Sequence, residues 1–360
     1  MSADAKQIRF FAILFAAWFA LFALSLNFRP PDYRPWNRLR RGPFNFKPNG
    51  RVVMKVCGDL GWIKDVKELQ FPREQVFTTD PWGYRNPGVI ENPRVVVSGD
   101  SYPAGGGLND TDTLTVRMSE LMGEKIYNFC GEAKFAPSEF LADPRFKAHP
   151  PQVLIYSPVY RMITPFPIEK SWRYRGKIVY LDDYTRLLIS FKLRLDRDNF
   201  LAHLFKDLAS RVSPKLIGGL SVYVDQVTVQ GEPKLTLSLD VLRLTQTPQE
   251  RQLHMVVTSL VKFDEELKKR GVRFIYAPSP EPGSIYPEFY PKAESVRLQN
   301  PPFIDLVFAE LDKRGIEYID LRKDLIANRF PYLYLPDDTH WNPRAVSIAA
   351  KTIVDYLARK

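Results

Sequence analysis

Read from its first residue, the chain opens on an uninterrupted apolar run at residues 10–26, with no charge and no polar face. A helix that crosses a bilayer needs roughly 17–25 such residues, so residues 1–28 predict an N-terminal transmembrane helix. Ala23-Leu24-Ser25 is a poor cleavage site, which favours a retained signal anchor over a removed signal peptide. From residue 29 the apolar pattern gives way to proline, arginine and asparagine, and the stretch to residue 70 reads as a basic, proline-rich linker and lead-in. A short strand fits residues 52–59 within it.

Residues 71–360 carry the pattern of one α/β domain. Three βα units come first: strands at 95–97, 126–129 and 153–156, with an apolar-periodic helix at 114–122 closed by Gly123 and a weaker one near 138–142. Residues 162–250 break the rhythm with an aromatic and basic cluster (Trp172, Tyr174, Arg175), a helix candidate at 200–209 and alternating segments at 221–229 and 235–239. They read as an insertion of mixed structure, a lid or substrate-binding extension, or as strands that extend the core. The rhythm then resumes. A helix at 260–270 ends in Gly271 and leads to a strand at 272–277; another at 303–314 ends in Gly315 and leads to a strand at 316–321. A final helix places Val346, Ala349, Ala350, Ile353 and Leu357 on one face, with Asn342 able to cap it and Pro343 suited to its first position. Strands alternating with helices predict a parallel sheet with helices on both faces.

Composition changes this picture little. Apolar residues make up 45% and charged residues 26%, ordinary for a globular protein. The 30 prolines and 13% aromatics suit rigid loops and a surface that can stack on sugars. The net charge of +10 is uneven, since seven basic residues and one acidic lie between Arg29 and Arg51. That segment could rest on anionic head groups or attract an anionic polysaccharide. No stripe of basic and aromatic residues recurs in the body, so nucleic acid is not expected as a partner. Basic residues after the apolar run outnumber Lys6 and Arg9 before it, and by charge alone the body would stay in the cytoplasm. Cys57 and Cys130 have no metal-ligand spacing; they could pair or remain free thiols.

The candidate chemistry sits at two distant places. In Val95-Val-Val-Ser-Gly-Asp100-Ser101-Tyr-Pro-Ala-Gly-Gly-Gly107-Leu108 a buried strand turns sharply, which puts Ser101 at a strand end near a helix N-terminus, where backbone N–H groups can hold an oxyanion. A serine needs a base. His340, in Asp337-Asp338-Thr339-His340-Trp341-Asn342-Pro343, has carboxylates two and three residues before it, either of which could orient the ring. His149, His203 and His254 lack such partners and read as structural, and Asp100 reads as fixing backbone. Glu281 and Tyr286 follow the strand at 272–277 and are candidates for lining the site, against a plain proline-stiffened loop. No metal and no cofactor is expected.

These stretches resemble the SGNH (GDSL) superfamily, and within it the polysaccharide O-acetyltransferases of the alginate O-acetylation AlgJ/AlgX type. Gly99-Asp100-Ser101 and Asp338-Thr339-His340-Trp341 carry the resemblance. Asp80-Pro-Trp-Gly-Tyr-Arg85-Asn86 is similar to the family's lead-in; its Trp82-Gly83-Tyr84-Arg85 reads either as a structural turn or as a loop against the site. Tyr127-Asn-Phe-Cys130-Gly131 is similar to the second block. The resemblance implies Ser101 as nucleophile, His340 as base and Asp338 as orienting acid, with Asp337 the position used by the wider superfamily. It implies an oxyanion hole from the N–H groups of Ser101 and Gly131, and Trp341 beside the site. The third block normally brings an asparagine; here it reads Ile155-Tyr156-Ser-Pro-Val-Tyr-Arg161, leaving Tyr156 or Arg161 to substitute. The implied protein is an inner-membrane, single-pass enzyme with its catalytic domain in the periplasm or outside the cell. It would move acetyl from a donor, supplied by a membrane-bound O-acyltransferase, to a polysaccharide hydroxyl. An envelope carbohydrate esterase and an inactive polysaccharide-binding or scaffold protein are the alternatives.

Overall fold

The structure is a computed structural model that describes residues 46–64, 67–131, 136–166, 168, 171–174, 177–180, 224–237, 250–289 and 302–359, with 12, 13, 15–17, 20 and 39. Two compact units divide the chain, residues 1–32 with 183–222 and residues 33–182 with 223–360. In the first, the few described positions between residues 12 and 20 are helical and exposed. Most of the expected anchor, the helix candidate at 200–209 and Arg175 lie outside the described residues. Among the described residues no helix is long and apolar enough to cross a membrane.

The second unit holds a four-stranded parallel sheet. Its strands are β3 (Val95–Gly99), β4 (Tyr127–Cys130), β5 (Val153–Ser157) and β10 (Arg273–Tyr276), in the order β10-β5-β3-β4. Side chains alternate across a strand, and here both faces are apolar. Val95, Val97, Ile155 and Ile275 face one layer, packed by α2 (Leu114–Met122) and the terminal helix α9 (Pro343–Ala358). Val96, Leu154, Tyr156 and Phe274 face the other, packed by α3 (Ala136–Ala142), α4 (Pro144–Ala148), α5 (Glu250–Lys268) and α7 (Phe303–Asp312). This is the two-sided α/β layering that the alternating pattern predicts. Gly271 (φ 69°) and Gly315 (φ 63°) take the left-handed conformation just past α5 and α7, which is why the chain uses glycine to stop each helix there.

Three expectations change. Residues 316–321 do not form a strand; they touch the sheet edge by one parallel bridge between Tyr276 and Tyr318. The short strand expected at 52–59 forms as β1 (Arg51–Val56), paired antiparallel with β2 (Arg73–Thr78), but it stops earlier, and Asp59 begins a short helix, α1 (Asp59–Lys64), instead of ending the strand. The described strands of the insertion do not extend the core sheet. They form two separate antiparallel hairpins, β6 (Ser171–Tyr174) with β7 (Lys177–Tyr180), and β8 (Val224–Val229) with β9 (Glu232–Leu237). The second hairpin packs Val224 and Leu235 against Leu60 of α1 and Leu69. Two further short helices, α6 (Pro282–Ile285) and α8 (Arg322–Ala327), lie on the Val95 side of the sheet.

Candidate active site

Strand β3 ends where it has no room for a side chain. A Cβ on Gly99 would lie 2.4 Å from the Ser157 carbonyl oxygen of β5. Asp100 then fastens the turn: its Oδ1 accepts from the Tyr102 N–H at 3.0 Å and its Oδ2 from the Val159 N–H at 2.7 Å. From Ser101 to Leu108 the chain runs through tight turns, with the Ser101 carbonyl accepting from Gly106 N–H at 2.7 Å. The helix expected at 114–122 forms there, and residues 101–108 close on themselves well before it. Ser101 is therefore presented by a turn, not by a helix N-terminus.

Arg85 fixes that turn from below. Its guanidinium is almost wholly buried and donates to the carbonyls of Ala104 (3.1 Å), Gly105 (2.5 Å) and Leu108 (2.7 Å), and to Asp110 (3.0 Å). Asp80 organises the rest of the lead-in, accepting from the N–H groups of Trp82 and Tyr84, from the Asn86 amide and from the Tyr127 hydroxyl. The lead-in motif is thus a structural turn that also braces the serine loop.

The second loop is a tight hairpin over residues 333–342, closed by Leu335 N–H to the His340 carbonyl (2.9 Å) and Asn342 N–H to the Leu333 carbonyl (3.0 Å). Asn342 caps α9 by accepting from Ala345 N–H at 3.0 Å, with Pro343 in the first turn, so the helix fixes where the hairpin ends. Within it, His340 Nδ1 lies 2.8 Å from Asp338 Oδ1, and His340 Nε2 lies 2.8 Å from Ser101 Oγ. Asp338 is buried, and burial alone would raise its pKa. The His340 charge and hydrogen bond, the Arg73 charge and the Asp59 N–H outweigh burial and hold it well below the usual carboxylate range. An ionised Asp338 can only accept, so Nδ1 carries the proton and Nε2 is left to accept from Ser101. Tyr102 locks the ring from the side, with its centroid 5.0 Å from that of His340 and its hydroxyl donating to the Thr339 carbonyl at 2.6 Å. Gly106 leaves the room: a Cβ there would lie 2.6 Å from His340 Cδ2 and 2.7 Å from Nε2.

The structure brings together Ser101, His340 and Asp338 and separates several other candidates. Asp337 does not reach the ring. Its carboxylate accepts from Gly58 N–H (2.7 Å), Phe71 N–H (3.0 Å) and Arg73 (2.7 Å), and its carbonyl from the N–H groups of Leu60 and Gly61. Gly131 N–H donates to the Gly99 carbonyl at 2.9 Å, continuing the β3–β4 ladder, and so does not face an oxyanion. Ser101 N–H has no acceptor among the described residues. Tyr156 packs with Phe166, Phe263 and Tyr276 in the layer on the other face of the sheet. Tyr286 is a core residue, its hydroxyl donating to the Arg329 carbonyl and accepting from Leu333 N–H. Trp341 is buried edge-on against Tyr102, 5.6 Å between centroids. Arg161 does stand near the serine turn. Its guanidinium carbon is 5.4 Å from the Tyr102 ring centroid, and it pairs with the buried Glu281 at 2.8 Å. Cys57 and Cys130 are both free thiols, Cys130 buried and pushed well up by that burial.

Reading the residues alone missed Arg73, Tyr102, Gly106 and Asp59 as parts of this constellation. Only their spacing to Ser101 and His340 could have marked them, and for Arg73 and Asp59 that spacing is uninformative. Asp59, Asp338 and His340 each bring one potential metal-ligand atom within 4.8 Å of the others.

Fold and site together describe an α/β protein with a serine, a histidine and an aspartate in one hydrogen-bonded line at the carboxyl edge of a parallel sheet. Residues 239–360 match the family described as SGNH hydrolase-like domain, acetyltransferase AlgX, a family of acetyl-handling enzymes. The match covers the hairpin with Asp338 and His340, and Ser101 lies outside it. No curated protein matches the chain. Among solved structures it is similar to a lipolytic protein of the G-D-S-L family from Desulfitobacterium hafniense DCB-2, at 10% identity over 73% of this chain and 98% of that one, with a TM-score of 0.36. The acetyl xylan esterase AlAXEase is similar at 9% identity over 73% and 99%, TM-score 0.38. A catalytic mutant of an acetylxylan esterase from Geobacillus stearothermophilus follows at 8% over 74% and 94%, TM-score 0.35.

Proposed function

We propose that the protein is an O-acetyltransferase that passes an acetyl group through Ser101 to a hydroxyl of an envelope polysaccharide. The observation that carries this reading is the unbroken chain from Ser101 Oγ to His340 to Asp338, each link 2.8 Å. His340 Nε2 takes the Ser101 proton as Oγ attacks the carbonyl carbon of an acetyl donor. The donor's leaving oxygen departs with that proton, and acetyl-Ser101 remains. A sugar hydroxyl then gives its proton to His340 and attacks the acetyl carbon, and Ser101 regains the proton. The N–H of Ser101 is the group we assign to hold the oxyanion. Arg161, held by Glu281 beside Tyr102, is the side chain we assign next to the incoming acyl group in place of the family's asparagine.

Transfer is favoured over hydrolysis because the family matched by residues 239–360 is described as an acetyltransferase. The apolar run at residues 10–26 supports a membrane anchor, and with it an exported domain fed by a membrane-bound acyl donor. Acetyl release from a chromogenic ester should vanish in Ser101→Ala, falling by about 10⁴-fold or more. Supplying an oligosaccharide should yield a product heavier by one acetyl. Free acetate without that product would replace transferase by esterase, and turnover surviving in Ser101→Ala would remove the reading altogether.

A further inference from the structure

Asp338 is held by a segment far away in the chain: the N–H of Asp59, 279 positions distant, donates to its Oδ2 at 3.1 Å. Gly58 N–H, also 279 positions from its acceptor, does the same for Asp337 at 2.7 Å. Arg73, which opens β2 at the other end of this segment, reaches both halves of the site. Its Nε donates to the Gly107 carbonyl on the serine turn at 3.1 Å, and its Nη1 to Asp337 Oδ1 at 2.7 Å and to the Phe71 carbonyl at 3.1 Å. Its Nη2 is buried and without a hydrogen-bond partner among the described residues. A Cβ built on Gly107 would lie 3.3 Å from that nitrogen and 3.7 Å from Asp338 Oδ2, so the free end of the guanidinium faces the region of the acid.

We propose that Arg73 is a positioning residue for the acyl-transfer site, one rigid guanidinium that sets the distance between the serine turn and the hairpin bearing Asp338 and His340. The inference rests on the reading of Ser101, His340 and Asp338 as the reacting groups. Arg73 touches none of the reacting atoms and acts through Gly107 and Asp337. Two contacts in fixed directions require a planar fork, and an ammonium on a flexible stem cannot reproduce them. The charge adds a second effect, since it helps keep Asp338 ionised. The N-terminal hairpin, which precedes the α/β layers, is on this account part of the active site.

The test compares wild type with Arg73→Gln, Arg73→Lys and Arg73→Ala. Two rates are read at a temperature well below every thermal midpoint: labelling of Ser101 by a fluorophosphonate probe and turnover of a chromogenic acetyl ester. Misplacing a reacting group by about 1 Å costs on the order of 10²-fold. Labelling and kcat should therefore fall between about 10- and 100-fold in Arg73→Gln, with KM nearly unchanged. Arg73→Lys keeps the charge and the stem; it should stay folded and still be slow. Millimolar methylguanidinium should return part of the rate to Arg73→Ala, and methylammonium should not. The positioning role is overturned by rates within twofold of wild type in Arg73→Gln, by a fully active Arg73→Lys, by a loss confined to KM, or by failure of methylguanidinium to restore any rate. Ser101→Ala run alongside separates the two ideas: turnover surviving there defeats the reading of the site, whereas normal turnover in the Arg73 variants defeats only the positioning role.

Discussion

The two loops that meet at the site are held in opposite ways. The serine turn is held by its carbonyls, with Arg85 taking those of Ala104, Gly105 and Leu108 and Arg73 that of Gly107. The hairpin at 333–342 is held by its carboxylates, with Asp337 and Asp338 accepting from the N–H groups of Gly58, Phe71, Asp59 and Thr339. Every residue has a carbonyl, whereas only an aspartate brings a short carboxylate. The serine turn thus depends on who grips it and on the absence of side chains, and the hairpin depends on its own two acids. The same contrast separates the buried acids at the two ends. Burial raises the Asp100 pKa from its ordinary value despite its two N–H donors, while His340 and its neighbours pull Asp338 well below the usual carboxylate range.

The comparison breaks most sharply at the paired aspartates. Asp338→Asn should cut kcat by about 10³–10⁴-fold, because the neutral amide can favour the wrong ring tautomer and cannot balance an imidazolium. Asp337→Asn should leave most of the activity and lower stability by about 1–3 kcal/mol, the cost of weakening a buried acceptor shared by three donors. Equal kinetic losses in the two would mean that the hairpin works as one electrostatic unit. On the other loop, Gly106→Ala drives a methyl against His340 and should lower kcat by about 10²-fold with the thermal midpoint little changed. Arg85→Met removes the cation that serves four carbonyls and Asp110, and urea unfolding should show a loss of about 3 kcal/mol.

The smallest effect is in the pH dependence of stability. The folded pKa of Asp338 is depressed, so its contribution is present above the unfolded carboxylate range near about 4 and is lost only as pH falls through its low folded value. The folded pKa of Asp100 is raised, so its contribution is full below that range and fades as pH rises through the folded value. Unfolding free energies of wild type and Asp100→Asn measured from pH 3 to 7 should draw apart with the wild type losing ground as pH rises. The opposite slope would show that the two N–H donors outweigh burial at Asp100.

Much of this was legible in the residues. The three-valine run of β3, the glycines after α5 and α7, and the Asn342-Pro343 helix start are local signals, and β3, α7 and α9 formed within a few residues of their expected bounds, whereas α5 begins at Glu250, ten residues before its expected start. Asp338-Thr-His340 was legible because acid and base are two positions apart on one hairpin. The strand expected at 316–321 failed because apolar alternation marks burial, and one bridge to Tyr276 provides that burial without a ladder. Gly131 was read into the oxyanion hole, and its N–H instead continues a sheet ladder, a choice set by register and not by residue type. Arg73 and Asp59 stayed invisible for the same reason: their partners are chosen by the fold.

The contact between Gly58 and Asp337 spans 279 positions, and it joins the segment between β1 and α1 to the hairpin that precedes α9. During synthesis the serine turn and its arginine braces emerge before the imidazole, which lies 239 positions beyond Ser101. A chain that stops short of that hairpin therefore carries the alcohol with nothing to deprotonate it, and the amides of Gly58 and Asp59 have no carboxylate to donate to. Closing so long a loop adds little entropy cost beyond that of a shorter one, but it fixes the order of events. Competence to react therefore waits on synthesis of the hairpin that bears the imidazole.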